Sequence, residues 1–387
     1  MHATHKFLMT TRSIYVVVIN PRTQDKQGEN ELEYWLKLIK SYAGNPPIIV
    51  AINKFKTHSL NIGKGAIQDK YPNVLGFVET DCEENIGIRK LKTEIKKAVG
   101  KLKFIYDELP ISYFLIKDKL VNENKDFINY STYINICLAI DPEFEEASQI
   151  TLVRLLNDLG VMLNFSTDDN IRQTQVLNPE WVTNGVYSII NYKHLIKNKG
   201  IVKLNSASRI LDKKKYPSET ERKFIFETMC DFELAYKLED QGKTYFIPGA
   251  FGKDKTQIDW NYEPHQVLKF RYKYDTLPHS IISRFIVKAQ PFIKQGYPWY
   301  YGTYIELSDF KGQVIADLEE NTITIKIAGE GQKKDILAVV RQMFEDIHSS
   351  YKGLIIKREI FADIEGEISV NYDELIIYQK AGEEKIF

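Results

Sequence analysis

Strand-like and helix-like patterns alternate over the first hundred residues of the chain. Residues 14–20 and 48–52 are short, nearly continuous apolar runs, as expected for buried parallel strands. A helix near 61–70, a strand over 74–79 and a helix over 88–99 continue the alternation. This pattern predicts an α/β segment with a parallel sheet and right-handed crossovers. Between the first two runs, apolar residues recur at the spacing of one helix face, at Leu32, Trp35, Leu36 and Ile39.

The middle third is predicted to be mainly helical and the last third to be α+β. Leu109-Pro110 interrupts the alternation, and helical patterns dominate residues 111–250. Two short segments, 233–238 and 244–247, have the pattern of a hairpin, so helices followed by a wing predict a winged-helix outline. After a polar linker, strict alternation over 267–274 predicts a half-buried strand. Further strands are expected over 299–307, 312–318 and 322–327, and helices over 278–286 and 336–347.

Composition narrows the possible functions. Lys+Arg and Asp+Glu both number 52, and this balance argues against nucleic-acid binding driven by a surplus of basic charge. The cysteines, Cys82, Cys137 and Cys230, lack metal or disulfide spacing, which fits a reducing compartment. The chain has no apolar run long enough to span a bilayer and no signal-peptide pattern. We therefore expect a cytoplasmic protein without a metal site, membrane insertion or a nucleic-acid partner.

Candidate functional residues lie directly after the predicted parallel strands. Residues 20–23, 53–56 and 81–83 each follow one strand. Because ligands of such sheets bind beyond the carboxyl ends of the strands, these segments are expected to share one edge. The sequence therefore predicts that any small-molecule site lies there.

The second segment has the pattern of a guanine-reading loop. Strand, helix, strand and then Asn53-Lys54 match the start of the GTPase motif NKxD, whose aspartate accepts hydrogen bonds from the base. Lys56 stands in place of that aspartate, and a lysine has donors but no acceptor. We expect weak or lost guanine preference, since a charged bidentate pair contributes about 1–3 kcal/mol of discrimination. The alternative is that Asn53-Lys54 simply ends a strand.

Two further residues at this edge have a functional and a structural interpretation. Cys82 fits the small central position of a base-stacking loop of form S-[AC]-K, with Asp81 and Glu83 in the flanking positions. Alternatively, these acidic residues only complement the dipole of the following helix. Arg22 follows the first strand, where a guanidinium could stabilise transferring phosphoryl charge, unless it is a solvated loop arginine.

The phosphate-binding part of a nucleotide site is missing from this sequence. No segment of form GxxxxGK[ST] occurs in the 387 residues. That glycine-rich loop supplies the backbone N–H groups that cradle phosphates. We therefore expect no useful GTP binding, and no cofactor, for the chain as given.

Longer motifs resemble the Roco family, in which a Roc GTPase domain is followed by a COR domain. Residues 2–15 resemble the segment after switch II of Roc, and 34–36 and 53–54 match its next elements. The resemblance implies the C-terminal half of Roc over 1–105, COR-A over 106–252 and COR-B over 253–387. The segments that resemble COR are Val176–Tyr187, Phe232–Tyr236, Leu277-Pro278, Arg284-Phe285 and Trp299–Gly302.

The resemblance carries several functional expectations. Roco proteins are GTPases that dimerise through COR, so GTP or GDP with Mg²⁺ is expected in the intact parent. It further implies a homodimer through COR-B, an intramolecular Roc–COR contact, and regulation of a GTPase cycle in signalling. Arg22 matches an arginine placed in GTP hydrolysis in bacterial members. Met1 falls where the family has an internal residue, which suggests a truncated gene or a late start.

Two other interpretations stay open at this point. The first is a free-standing, catalytically silent COR scaffold, which differs from a GTPase fragment only in what precedes Met1. The second is a DNA-binding winged helix within residues 111–250. The neutral charge and the lack of a basic recognition helix argue against DNA binding.

Overall fold

The computed structural model describes residues 9–20, 25–54, 62–164, 174–238, 243–294, 297–361 and 368–380. The chain divides into two compact units. One spans Lys6–Glu180, and the other is formed mainly by Trp181–Phe387. The division falls inside the segment predicted as COR-A.

The first unit begins with the predicted small parallel sheet. Its strands have the order β1-β2-β3, and both neighbouring pairs are parallel. Helices follow the strands in alternation, as the hydrophobic pattern predicted. The elements are β1 (Tyr15–Ile19), α1 (Asp25–Ala43), β2 (Ile48–Asn53), α2 (Lys64–Lys70), β3 (Val74–Thr80) and α3 (Ile88–Val99).

The two faces of this sheet are covered unequally. One face packs on α1 and α2, with the side chains of Val17 and Ile19 buried. On the other face, α3 covers Ile49 of β2. Val16 and Val18, on the β1 part of that second face, are 36% and 59% exposed. An exposed apolar strand face is typical of a sheet that is incomplete or covered by another segment.

The remainder of the first unit is helical with a small antiparallel sheet of order β4-β6-β5. Asn129 caps α5, because its Oδ1 accepts a hydrogen bond from the Thr132 N–H at 2.7 Å. Thr10, ahead of β1, donates through Oγ1 to the Asp158 carbonyl at 2.8 Å, which joins the Roc-like segment to α6. The elements are α4 (Ile111–Val121), β4 (Phe127–Asn129), α5 (Tyr130–Ile140), α6 (Glu146–Asp158), β5 (Leu163–Asn164) and β6 (Thr174–Val176).

The second unit opens with helices and a sheet of order β7-β9-β8. The predicted pairing of β8 with β9 is confirmed, but β9 also pairs with β7, which the sequence did not predict. The winged-helix outline itself stays a prediction. Trp181 is buried, and its Nε1–H donates to the Lys215 carbonyl at 2.9 Å. The elements are α7 (Pro179–Ile190), α8 (Lys193–Lys197), β7 (Ile201–Lys203), α9 (Ala207–Ile210), α10 (Glu219–Asp231), β8 (Tyr236–Lys237) and β9 (Thr244–Phe246).

An antiparallel sheet of order β11-β12-β13-β10-β14-β15 forms the last third. The aromatic side chains of β10 are buried, and Tyr272 lies 5.3 Å from Phe344 of α12 between ring centres. Phe285 of α11 stacks on Phe344 at 4.4 Å. The elements are β10 (Val267–Tyr274), α11 (Ser280–Lys288), β11 (Gly302–Leu307), β12 (Phe310–Asp317), β13 (Thr322–Ala328), α12 (Lys333–Ser349), β14 (Ile356–Phe361), β15 (Ser369–Asn371) and α13 (Tyr372–Lys380).

Candidate functional site

The carboxyl edge of the parallel sheet brings two predicted site residues together. Asn53 ends β2, and its Oδ1 accepts a hydrogen bond from the backbone N–H of Cys82 at 3.1 Å. Lys54 follows with φ +61°, a left-handed conformation that turns the chain sharply. Asn53 therefore links the loop after β2 to the loop after β3, as the shared-edge argument predicted.

The loop after β3 is stabilised by its own acidic residue. Asp81 is buried, and its Oδ1 accepts hydrogen bonds from the backbone N–H groups of Glu83 at 3.1 Å and Glu84 at 3.3 Å. Asp81 and Ile86 also exchange two backbone hydrogen bonds of 2.9 Å. The carboxylate in the position of the motif's serine thus closes a local turn. It does not complement the dipole of the following helix, because α3 begins at Ile88 and has no acidic residue in its first turn.

Gly87 closes the same loop at the start of α3. It has φ +74°, and a Cβ placed there would lie 2.0 Å from the Glu79 carbonyl oxygen. Only glycine combines this conformation with such a close approach of two backbone segments. The hydrophobic pattern gave no sign of a role for Gly87, although a glycine directly before a predicted helix is a usable signal.

Two predicted site residues, Arg22 and Lys56, lie outside the described residues. Their roles in hydrolysis and in base recognition therefore stay predictions. Across the described part of the chain, no group of His, Cys, Asp or Glu side chains could hold a metal ion. Its helices also include none that is long and apolar enough to cross a membrane.

A second cluster joins two motifs of the COR-like part. Arg284 of α11 is buried, and its Nε donates to Glu233 Oε2 at 2.5 Å, across 51 positions of sequence. Arg284 Nη1 also donates to Ser350 Oγ at 2.7 Å. Lys288, one helical turn further, lies 3.2 Å from Glu233 Oε1. Glu233 itself has φ +55°, so the ion pair holds a residue in a conformation that L side chains seldom adopt.

Interactions within this cluster favour the charged forms of Glu233 and Arg284. Burial on its own raises the pKa of the Glu233 carboxyl, but the attraction and hydrogen bonds of Arg284 and Lys288 outweigh it and the pKa lies below its ordinary value. Burial lowers the pKa of Arg284, and Tyr351 and Glu233 together more than compensate, so that pKa is raised. The cluster is an ionic clamp between the loop after α10 and the helix α11.

Family comparisons agree with these motifs. The model described as "C-terminal of Roc, COR-A domain" matches residues 110–251, and "C-terminal of Roc, COR-B domain" matches residues 265–387. Among curated proteins, the probable serine/threonine-protein kinase pats1 of Dictyostelium discoideum is 24% identical over 88% of this chain. A Roc-COR-CHAT protease from an unknown prokaryotic organism is 20% identical over 95% of it. The chain spans 11% and 35% of the lengths of these relatives.

Solved structures include one that is similar over about two thirds of the chain. It is Methanosarcina barkeri Roco2 RocCORdC bound to GDP, at 38% sequence identity and a TM-score of 0.53. The similarity covers 65% of this chain and 76% of the archaeal chain. At this identity the likeness extends beyond the fold to the arrangement of a Roc segment followed by COR.

Proposed function

The chain belongs to the Roco family. We propose that it acts as the Roc–COR portion of a Roco protein, in dimerisation and in the regulation of a GTPase cycle. The proposed domains are the C-terminal half of Roc over 1–105, COR-A with a winged-helix outline over 106–252 and COR-B over 253–387. The observation that carries the proposal is a set of exposed apolar side chains at the end of COR-B.

These side chains support a homodimer through COR-B. Ile368 precedes β15 and is 64% exposed, whereas Ile377 and Tyr378 on α13 are 65% and 43% exposed. β15 ends the strand order of its sheet, so its outer edge has no strand partner among the described residues. Exposed apolar side chains beside an open edge favour association. The aromatic residues of β10 are core residues and do not contribute to this surface.

Replacing Ile377 by aspartate is expected to weaken the homodimer at least about tenfold, because a charge would be buried in the apolar interface. Sedimentation velocity over a concentration series measures the change. Val339→Asp is the matched control, since Val339 is an exposed apolar residue of COR-B on a different helix, α12. Equal dimerisation of both variants would place the interface elsewhere.

The nucleotide chemistry of the proposal belongs to the intact parent. GTP or GDP with Mg²⁺ would be held by a phosphate loop, which this sequence lacks. Arg22 would then stabilise charge on the transferring phosphoryl group, and Asn53, Lys54 and Cys82 would line the base. The Thr10–Asp158 hydrogen bond supports an intramolecular Roc–COR contact through which nucleotide state could reach COR.

The chain as given is expected to bind GTP no tighter than about 100 µM, because without the loop little holds the phosphates. Titration with a fluorescent GTP analogue measures the affinity. Lys56→Asp restores the acceptor of the NKxD pattern, and we expect that variant to remain equally weak. Micromolar affinity of the unaltered chain would contradict the prediction, and tight binding by the variant alone would show that Lys56 is the limiting residue.

A catalytically silent COR scaffold is the alternative within the same family. It would dimerise in the same way and would respond to no nucleotide. Cytoplasmic location and a signalling role complete the proposal, with neither membrane insertion nor nucleic-acid binding. The balanced charge, 52 basic against 52 acidic residues, supports the exclusion of nucleic acid.

A further inference from the structure

A groove separates the outer edge of β3 from α3. Among the described residues β3 pairs with β2 alone, so its other edge is open. The groove has a volume of about 420 Å³. Leu75, Gly76 and Phe77 line it from the strand, and Lys90 and Lys97 line it from the helix. It thus combines unpaired strand backbone, an apolar floor and positive charge.

Gly76 leaves room in the floor of this groove. It lies in the middle of β3 and pairs with Ile49, on the face that α3 covers. A Cβ added at Gly76 would meet no atom within 4 Å, so the space above it is open. Glycine inside a strand often marks a place where another backbone approaches closely.

The positive charge faces the groove from the helix side. Lys90 and Lys97 of α3 and Lys101 beyond it line the groove, together with one acidic residue, Glu94, which is bound to Lys97 at 2.8 Å. Lysines that merely protect a sheet edge from pairing lie on the edge strand itself. β3 contains no lysine, and these lysines lie across the groove from it, where they would attract an acidic segment.

We propose that this groove binds an extended acidic peptide segment, which adds as a strand to the open edge of β3. The peptide backbone bonds to β3, every second side chain packs on Leu75 and Phe77, and the carboxylates on the helix side pair with the lysines. This mode gives affinity through main-chain hydrogen bonds and specificity through alternate side chains. The proposal is independent of nucleotide binding and of COR-B dimerisation.

The test uses the full chain and a fluorescein-labelled ten-residue peptide of alternating valine and glutamate. We expect saturable binding by fluorescence anisotropy, and slower amide hydrogen exchange at residues 75–78 in the bound state. A peptide with lysine in place of glutamate should not bind. A peptide with a central proline, which lacks the N–H of a pairing strand, should bind at least about tenfold more weakly.

Two variants and one control localise the site. Lys90→Glu with Lys101→Glu should weaken binding about tenfold or more, through charge repulsion. Gly76→Val should weaken it similarly by filling the floor, and Gly76→Ala, whose added Cβ meets no atom within 4 Å, should keep the circular dichroism of the unaltered protein. The control is Lys92→Glu with Lys96→Glu, two exposed lysines of α3 outside the groove, with less than about a twofold effect.

Three results would overturn the proposal. The first is equal loss in the groove and control variants, which would show only general attraction to a basic helix. The second is tolerance of the central proline. The third is that the peptide does not bind while phosphatidylserine vesicles do, with binding that depends on Lys92 and Lys96 as strongly as on Lys90 and Lys101. That result would identify an anionic membrane surface as the partner.

Discussion

Replacing Arg284 by methionine is expected to lower the free energy of unfolding by about 3–5 kcal/mol, because it leaves the Glu233 carboxylate partly buried without its main counter-charge. Methionine keeps an unbranched side chain of similar length, so the loss is chiefly that of the ionic clamp. Arg284 also donates to Ser350 Oγ, which would lose that donor. Urea denaturation of the full chain, followed by tryptophan fluorescence, measures the change.

The double variant Arg284→Met with Glu233→Gln is the control for this prediction. Removing both charges leaves Lys288, which is partly exposed, as the one charged member of the cluster, so most of the lost stability should return. A loss below about 1 kcal/mol in the single variant would contradict the account, because that is the range of an exposed pair. A double variant as unstable as the single one would attribute the effect to packing.

The clamp also predicts how stability depends on pH. Burial raises the pKa of Glu233, but its cationic neighbours lower that pKa by a larger amount. The folded pKa therefore lies below the unfolded value. Its contribution is therefore fully present above the unfolded pKa and is lost as pH falls through the folded pKa. In Arg284→Met the loss of stability at low pH should be smaller. Burial of Glu233 then opposes its ionisation, and Lys288 alone of the two cations remains to favour it.

Gly87→Ala is expected to destabilise the first unit by about 2–4 kcal/mol, because a left-handed conformation is unfavourable for alanine and its Cβ meets a backbone carbonyl. The Glu79 oxygen is part of β3, so the loop or the strand has to move. Thermal and urea unfolding measure the change. We expect faster amide hydrogen exchange at Cys82, because its backbone N–H bond to Asn53 Oδ1 is disturbed.

Gly65→Ala is the matched control for this variant. Gly65 lies in α2, and a Cβ there meets no atom within 4 Å. Alanine in a helix should stabilise the protein by about 0.4–1 kcal/mol. A Gly87→Ala protein as stable as the Gly65→Ala protein would show that the loop before α3 is not constrained as described.

Elements with strong periodicity could be predicted from the sequence. The helix over 88–99 and the strand over 267–274 agree with the structure at both ends, since each follows a single period without interruption. β14 and β15 were missed, because consecutive charged residues in Ile356–Phe361 obscure the alternation and β15 is very short. Local pattern gave no sign that β9 would pair with β7 as well as β8.

The contacts of the candidate site could be predicted only where the topology of the parallel sheet determines them. Asn53 and Cys82 meet because parallel strands end at the same edge, a rule that needs no tertiary information. The partnership of Glu233 with Arg284 was not predictable, although both lie in motifs singled out beforehand. The two residues are 51 positions apart, and no helical or strand period relates them.

The mass of the full chain in solution tests the central claim, that this Roc–COR portion is a dimerisation module. Sedimentation equilibrium is the direct measurement. We predict a species of twice 45.0 kDa at micromolar concentration, converted towards monomer by Ile377→Asp. A single 45.0 kDa species up to about 100 µM would contradict the claim, because association that weak would not sustain a dimer in cells.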